Sequence, residues 1–411
     1  QNPLPNDVVK IPETPEIPSK PDKNNWLTIL LPIGAILFSV LLMALLMGRG
    51  SSAVSYLIFL PIMAATSLAG IFTNRAVQKR YLKQLDVARG SFRQSLRAVE
   101  EQLSKLYAQE QKIRRTIDPA PAECLYRAQQ EDSRLGERRP NDADFLHVRI
   151  GTGNDRSSFS IDQSYQEKKK EEFVKEYEFI DDLTREYTDL KEVPIHVRFP
   201  VTGSIGIAGV RNDVMGLTRA IISQLFTHYW IDEVQLMVVT SKDTLRDWNW
   251  LSDAPHLFSL NKQSKKKVVS LEDGVLTDLE KELQSREQKS EIEKTLQKEK
   301  PSNGSGSSFL PQIIIIFDYL PVDFSHPALN LMGNKGKSLG IHGVYLVEKP
   351  DQIPGSSGGS ITINNGRGVY FETGPNCYKR DFIADTLDPV QAEMLVRSLS
   401  RIKWPQSNDT P

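Results

Sequence analysis

Two stretches without a single charge stand near the start of the chain. Residues 26–47 read WLTILLPIGAILFSVLLMALLM and residues 54–72 read VSYLIFLPIMAATSLAGIF. Each is close to the roughly 20 residues that cross a hydrocarbon core, and only GRGSSA, residues 48–53, separates them. The pattern predicts a transmembrane helical hairpin, with Pro32 and Pro61 at positions a membrane helix tolerates. Arg75, Lys79, Arg80 and Lys83 follow the second stretch before any acidic residue, whereas the hairpin loop carries only Arg49. The positive-inside rule then places both chain ends in the cytoplasm. Residues 1–25 are proline-rich and polar and read as an extended linker.

Beyond the hairpin the period becomes helical. Residues 73–115 contain no proline and one glycine, Gly90. Leu82, Leu96 and Leu103 share one heptad position, and Leu85, Phe92, Val99, Leu106 and Ile113 share another. This predicts a helix about 60 Å long at 1.5 Å per residue, within a helical stalk over residues 73–138. Its apolar seam needs a cover, either from the chain's own domain or from another molecule's helix. Residues 75–115 also hold eleven basic and four acidic side chains. That excess suits lipid headgroups near the membrane or an acidic partner farther along, so the stalk is expected to act as a docking surface.

From residue 139 onward, strand and helix signals alternate. Residues 145–150 show period-2 alternation and read as an entry strand. Strands are expected at 195–199, 204–209, 234–240, 313–317 (ending at Asp318) and 339–348, with a helix over 213–227. This alternation favours a mainly parallel sheet covered on both faces. Residues 262–300 read as a charged helical insertion and 301–309 as a loop. The α/β domain is expected to span 139–404, leaving 405–411 as a linker.

Composition narrows the classes. The 51 basic and 52 acidic residues leave a formal charge of -1, which excludes a globally basic nucleic-acid binder. Two distant cysteines, Cys124 and Cys377, exclude a disulfide framework and a Cys-based zinc site. The six histidines form no HExxH or close pair, so no metal site is expected. Gly336-Lys337-Ser338 spells the end of a phosphate loop, but no glycine sits five residues earlier and a strand follows, so it reads as a surface turn. Position 1 is not methionine, which points to a longer parent protein.

The segment IAGVRNDVMG…DEVQLMVVTSKD…IIIIFDYL…LGIHGVYLVEKP resembles an FtsK/SpoIIIE-type P-loop ATPase domain. The resemblance implies phosphate-loop positions Gly209, Asn212, Asp213, Val214, Met215 and Gly216, and second-motif positions Asp318 and Tyr319. Gly209 keeps the first glycine. Asn212 and Val214 replace the later glycines, Met215 the lysine that neutralises phosphate, and Gly216 the hydroxyl that helps hold magnesium. Asp318 keeps the metal-associated acid, while Tyr319 replaces the glutamate that would activate water. The resemblance therefore implies a P-loop-like α/β fold with a degenerate nucleotide site and no catalytic residue. GERRPNDADFLHVRIGTG, WNWLSDAPHLF and AEMLVRSLSRIKW further resemble the EccC/EssC membrane ATPases of type VII secretion. That family implies a membrane motor exporting small WXG-type proteins. It also implies self-association into an oligomer such as a hexamer, stalk contacts with other secretion components, and ATP and Mg bound by downstream ATPase domains. This chain would be the two-pass, cell-membrane part without cofactor. A membrane-anchored FtsK/SpoIIIE-type DNA translocase is the alternative, against which the junction motif weighs.

Overall fold

The computed structural model describes residues 4–21, 34, 37–38, 41, 59–162, 164, 169–260, 268–270, 274–299, 310–319, 326–374 and 377–402. Among them no helix is long and apolar enough to cross a membrane. Of residues 26–47, only Gly34, Leu37, Phe38 and Leu41 fall within the described residues. The stretch 59–72 opens a longer helix. Most of the expected hairpin therefore lies outside the described residues.

In chain order, strand β1 (Val8–Val9), helix α1 (Phe59–Ile117), helix α2 (Pro121–Gln130) and strand β2 (His147–Arg156) come first. Strand β3 (Ser160–Ile161), helix α3 (Val174–Thr188), strand β4 (Asp189–Arg198), strand β5 (Ile205–Gly209) and helix α4 (Arg211–His228) follow. Then come β6 (Val234–Thr240), β7 (Val268–Ser270), α5 (Val275–Glu299), β8 (Gln312–Asp318), α6 (Pro327–Lys335) and β9 (Ile341–Val347). The hairpin strands β10 (Gly359–Asn364) and β11 (Arg367–Glu372), strand β12 (Tyr378–Ala384) and helix α7 (Pro389–Ser400) close the fold. These elements form two compact units, one of Pro5–Tyr107 with Ser158–Thr188, the other of Gln1–Leu4, Ala108–Ser157 and Asp189–Pro411.

The first unit is built on α1. Its real stripe is Tyr81, Leu85, Phe92, Leu96, Val99 and Leu103, all buried, at the spacings of three and four that one helix face requires. Phe173, Tyr177 and Ile180 cover the upper half, and Val9 and Phe159 the lower half. Phe92 meets Phe173 edge to face at 5.6 Å. The apolar seam is therefore filled by the chain's own residues, which corrects the expectation that it waits for another molecule. Leu82 is 57% exposed. Its predicted series breaks at Arg89, whose guanidinium turns instead to the Glu172 carbonyl, at 2.6 and 3.0 Å.

The second unit holds a sheet of order β4-β2-β12-β11-β10-β5-β9-β8-β6-β7. Six strands, from β10 to β7, pair in parallel, and the remaining four join antiparallel. The run Ile313 to Phe317 is apolar throughout because both faces of β8 are covered. Ile314 and Ile316 join the core with α4 and α7, while Ile313, Ile315 and Phe317 join the core with α5 and α6. The carboxyl ends of β5, β6 and β8 meet beside the start of α4, the crevice where open α/β sheets bind ligands.

Candidate functional site: a closed phosphate-loop position

At the end of β5 the chain has little room for a loop. The strand ends at Gly209, Val210 caps, and α4 begins at Arg211. Asn212, Asp213, Val214, Met215 and Gly216 are already helical. Backbone amides that would wrap a phosphate are instead wound into the first turns of α4, so the cradle is absent. Val214 and Met215 are buried in the core; they bring no charge to an anion. Gly209 serves the sheet: a Cβ there would lie 2.4 Å from the Ile363 carbonyl oxygen. Gly216 accepts a hydrogen bond from the Leu387 amide at 3.2 Å and packs near Thr386. Asn212 is exposed and Asp213 half-buried in the first turn, where a carboxylate suits the helix dipole.

Asp318 ends β8 with 1% of its surface exposed. Arg211 forks onto its carboxylate at 2.8 and 3.2 Å. Thr240 Oγ1 donates to it at 2.8 Å and Trp248 Nε1 at 2.7 Å. Arg211 also reaches Asp247 at 2.7 Å and lies 5.0 Å above the Tyr319 ring. The hydrogen bond that Arg211 donates to Asp318 leads the effects that raise the guanidinium's pKa, so Arg211 stays charged. Tyr319 takes a left-handed backbone, φ 49, and donates its hydroxyl to the Gly209 carbonyl at 3.0 Å. Burial pushes that phenol up to about 12, so it remains a neutral donor. The residues present do not fit Mg·ATP. The acid that would carry the metal shell is saturated by protein donors, and the cation beside it comes from Arg211 inside the site. Arg211, Thr240 and Trp248, which bind Asp318, and Asp247, which binds Arg211, were not read as site residues from the sequence. An arginine two residues after the surviving glycine was the available signal.

The other motifs serve the fold. Trp248 of WNWLSDAPHLF closes on Asp318. His256 of the same motif stacks on Phe226 at 4.7 Å and donates Nε2–H to the Tyr229 carbonyl at 2.9 Å. In the junction motif, Arg138 is fully buried and binds the carbonyls of His147 (2.7 Å) and Ile117 (3.1 Å) together with the Asp118 carboxylate. Arg149 holds the Asp118 carbonyl at 2.9 Å and forks onto Asp385 at 2.7 and 3.2 Å. Burial alone would raise the Asp118 pKa, but His196 and Arg138 outweigh it and hold the carboxyl well below the usual range. Gly336-Lys337-Ser338 forms a short helical turn, and Lys337 donates to the Val201 carbonyl at 3.0 Å. It is a turn, as its sequence suggested. Among the described residues, no cluster of His, Cys, Asp or Glu could hold a metal ion.

No protein-family model matches the chain. The chain is 23% identical over 356 residues to the ESX secretion system protein EccC of Geobacillus thermodenitrificans, covering 85% of this chain and 23% of that protein. It is 21% identical over 406 residues to the type VII secretion system protein EssC of Staphylococcus aureus, covering 97% of this chain and 26% of that protein. The chain therefore spans about a quarter of the length of these curated relatives. Among solved structures, ATPases 2 and 3 of EssC from Geobacillus thermodenitrificans align with TM-score 0.42 at 15% identity, over 65% of this chain and 50% of that one. The homologues of this chain are EccC and EssC proteins of type VII secretion, in agreement with the resemblance in the motifs.

Proposed function

We propose that this chain is the membrane anchor, stalk and non-catalytic ATPase-like domain of an EccC/EssC-type secretion motor. The observation that carries the reading is the saturation of Asp318 by Arg211, Thr240 and Trp248 in a fold whose strand ends would otherwise meet a nucleotide. Phosphoryl transfer relies on positioned cations and a metal; here Arg211, the cation set against Asp318, is spent on that protein carboxylate. The anchor reading rests on the uncharged stretches 26–47 and 54–72. Leu37, Phe38, Leu41 and Phe72 are each more than 60% exposed, a poor arrangement in water and a good one in lipid. The relatives extend well beyond this chain, and ATP, Mg and WXG-type substrates are assigned to domains there. Self-association and contacts with other secretion components would be made by the assembled protein in the cell membrane, with both ends of this chain cytoplasmic. The DNA-translocase alternative is not favoured, because the homologues are secretion proteins.

The test is ATP hydrolysis by the purified chain. Negligible turnover is expected. Turnover that is lost in Asp318→Ala would overturn the reading.

A further inference from the structure

We infer that the first turns of α1 beyond residue 72 form a binding site for anionic phospholipid headgroups. The inference rests on the membrane-anchor reading and adds the chemistry of the lipid. The cations of α1 fall into two groups. Farther along the helix most are engaged: Arg89 binds the Glu172 carbonyl, Arg93 pairs with Glu176 at 2.7 Å, and Lys105 pairs with Glu101 at 2.7 Å. Arg114 and Arg115 are paired with Asp155 and Glu192. Arg75, Lys79, Arg80 and Lys83 are exposed and have no ion pair among the described residues. No acidic residue occurs between 73 and 85.

Arg75, Lys79 and Lys83 recur every four residues and so share one helix face. Tyr81 and Leu85 turn away from it into the core. Phe72, 66% exposed, ends the uncharged stretch and heads this face. At about 1.5 Å per residue, Lys83 lies roughly 17 Å along the helix from Phe72. Arg75, Lys79 and Arg80 thus fall within a headgroup layer of about 5–7.5 Å plus about one Debye length of 8 Å, and Lys83 lies at its outer edge. Charge complementarity and continuity with the apolar stretch select a phosphate-bearing lipid over an acidic protein, which would need no such proximity.

The test uses the full chain in nanodiscs of equimolar phosphatidylglycerol and phosphatidylcholine, with the lipid retained on the protein after detergent extraction measured by mass spectrometry. Wild type should retain phosphatidylglycerol in excess, by about fivefold for each cation fully engaged as an upper bound. The variant R75Q/K79Q/R80Q/K83Q should retain the two lipids equally while keeping its helicity by circular dichroism. R97Q/K112Q, which alters exposed cations farther from residue 72, should behave as wild type. Equal retention by wild type, a preference that survives the fourfold substitution, or its loss on adding excess inorganic phosphate would each overturn the inference. A chain stripped from vesicles by alkaline carbonate would instead overturn the anchor reading beneath it.

Discussion

Gly209 and Asp318 look in the sequence like remnants of one machine, yet each has a present occupation in the fold. Gly209 lets β5 lie against β10, and Asp318 is the hub of a buried hydrogen-bonded cluster. Single residues also set the acid limit of the molecule. Burial pushes His147 and His256 down to about 4, against about 6.5 in an unfolded chain. The unfolded state therefore takes up protons first. Their contribution to stability is present above about pH 6.5 and is lost as the pH falls toward 4. Denaturant midpoints of the chain should drop when the pH is lowered through that window, before most carboxylates titrate. A midpoint constant across it would contradict the assignment of these imidazoles as neutral, His256 buried and His147 half-buried.

At the scale of elements, the long helix was legible and its partner was not. No proline lies between Pro61 and Pro119, and the apolar spacing persists to Ile113, so α1 beyond residue 72 could be read directly. What covers it depends on α3 and on strands far away in sequence, and heptad spacing carries no information about that distance. Replacing Phe92, 2% exposed and set against Phe173, by alanine should cost about 3–5 kcal/mol. Hydrogen exchange should then rise in Val174–Thr188. Unchanged protection there would mean that α3 is not what the seam holds. Four of the six parallel strands, β5, β6, β8 and β9, were equally legible as apolar runs bounded by turns, whereas β7 (Val268–Ser270) falls in residues read as part of a helical insertion. The β10–β11 hairpin was missed although Asn365-Gly366, with φ 49 and 75, carries a common two-residue turn signal. Its flanks, SITIN and RGVYFE, alternate as hairpin strands do. The network around Asp318 was illegible because Thr240, Trp248 and Arg211 converge only once β5, β6 and β8 are paired.

The whole molecule is proposed to lie with its hairpin loop outside the cell and its two folded units inside. In a Cys377→Ser background, which removes the exposed native thiol, a cysteine placed at Ser51 should react with an impermeant maleimide on intact cells. One placed at Ser91 should react only after lysis; the reverse pattern would invert the topology. The larger claim is that the ATPase-like unit keeps the architecture of a nucleotide-binding domain while its own side chains close the site. Thermal unfolding of wild type and Asp318→Ala, each with and without Mg·ATP, tests that claim most directly. Removing a carboxylate buried among Arg211, Thr240 and Trp248 should strand its donors and cost about 3–5 kcal/mol, lowering the melting temperature, while Mg·ATP leaves wild type unmoved. A melting temperature that holds or rises in Asp318→Ala, together with stabilisation of wild type by Mg·ATP, would make Asp318 a working metal acid and contradict the account.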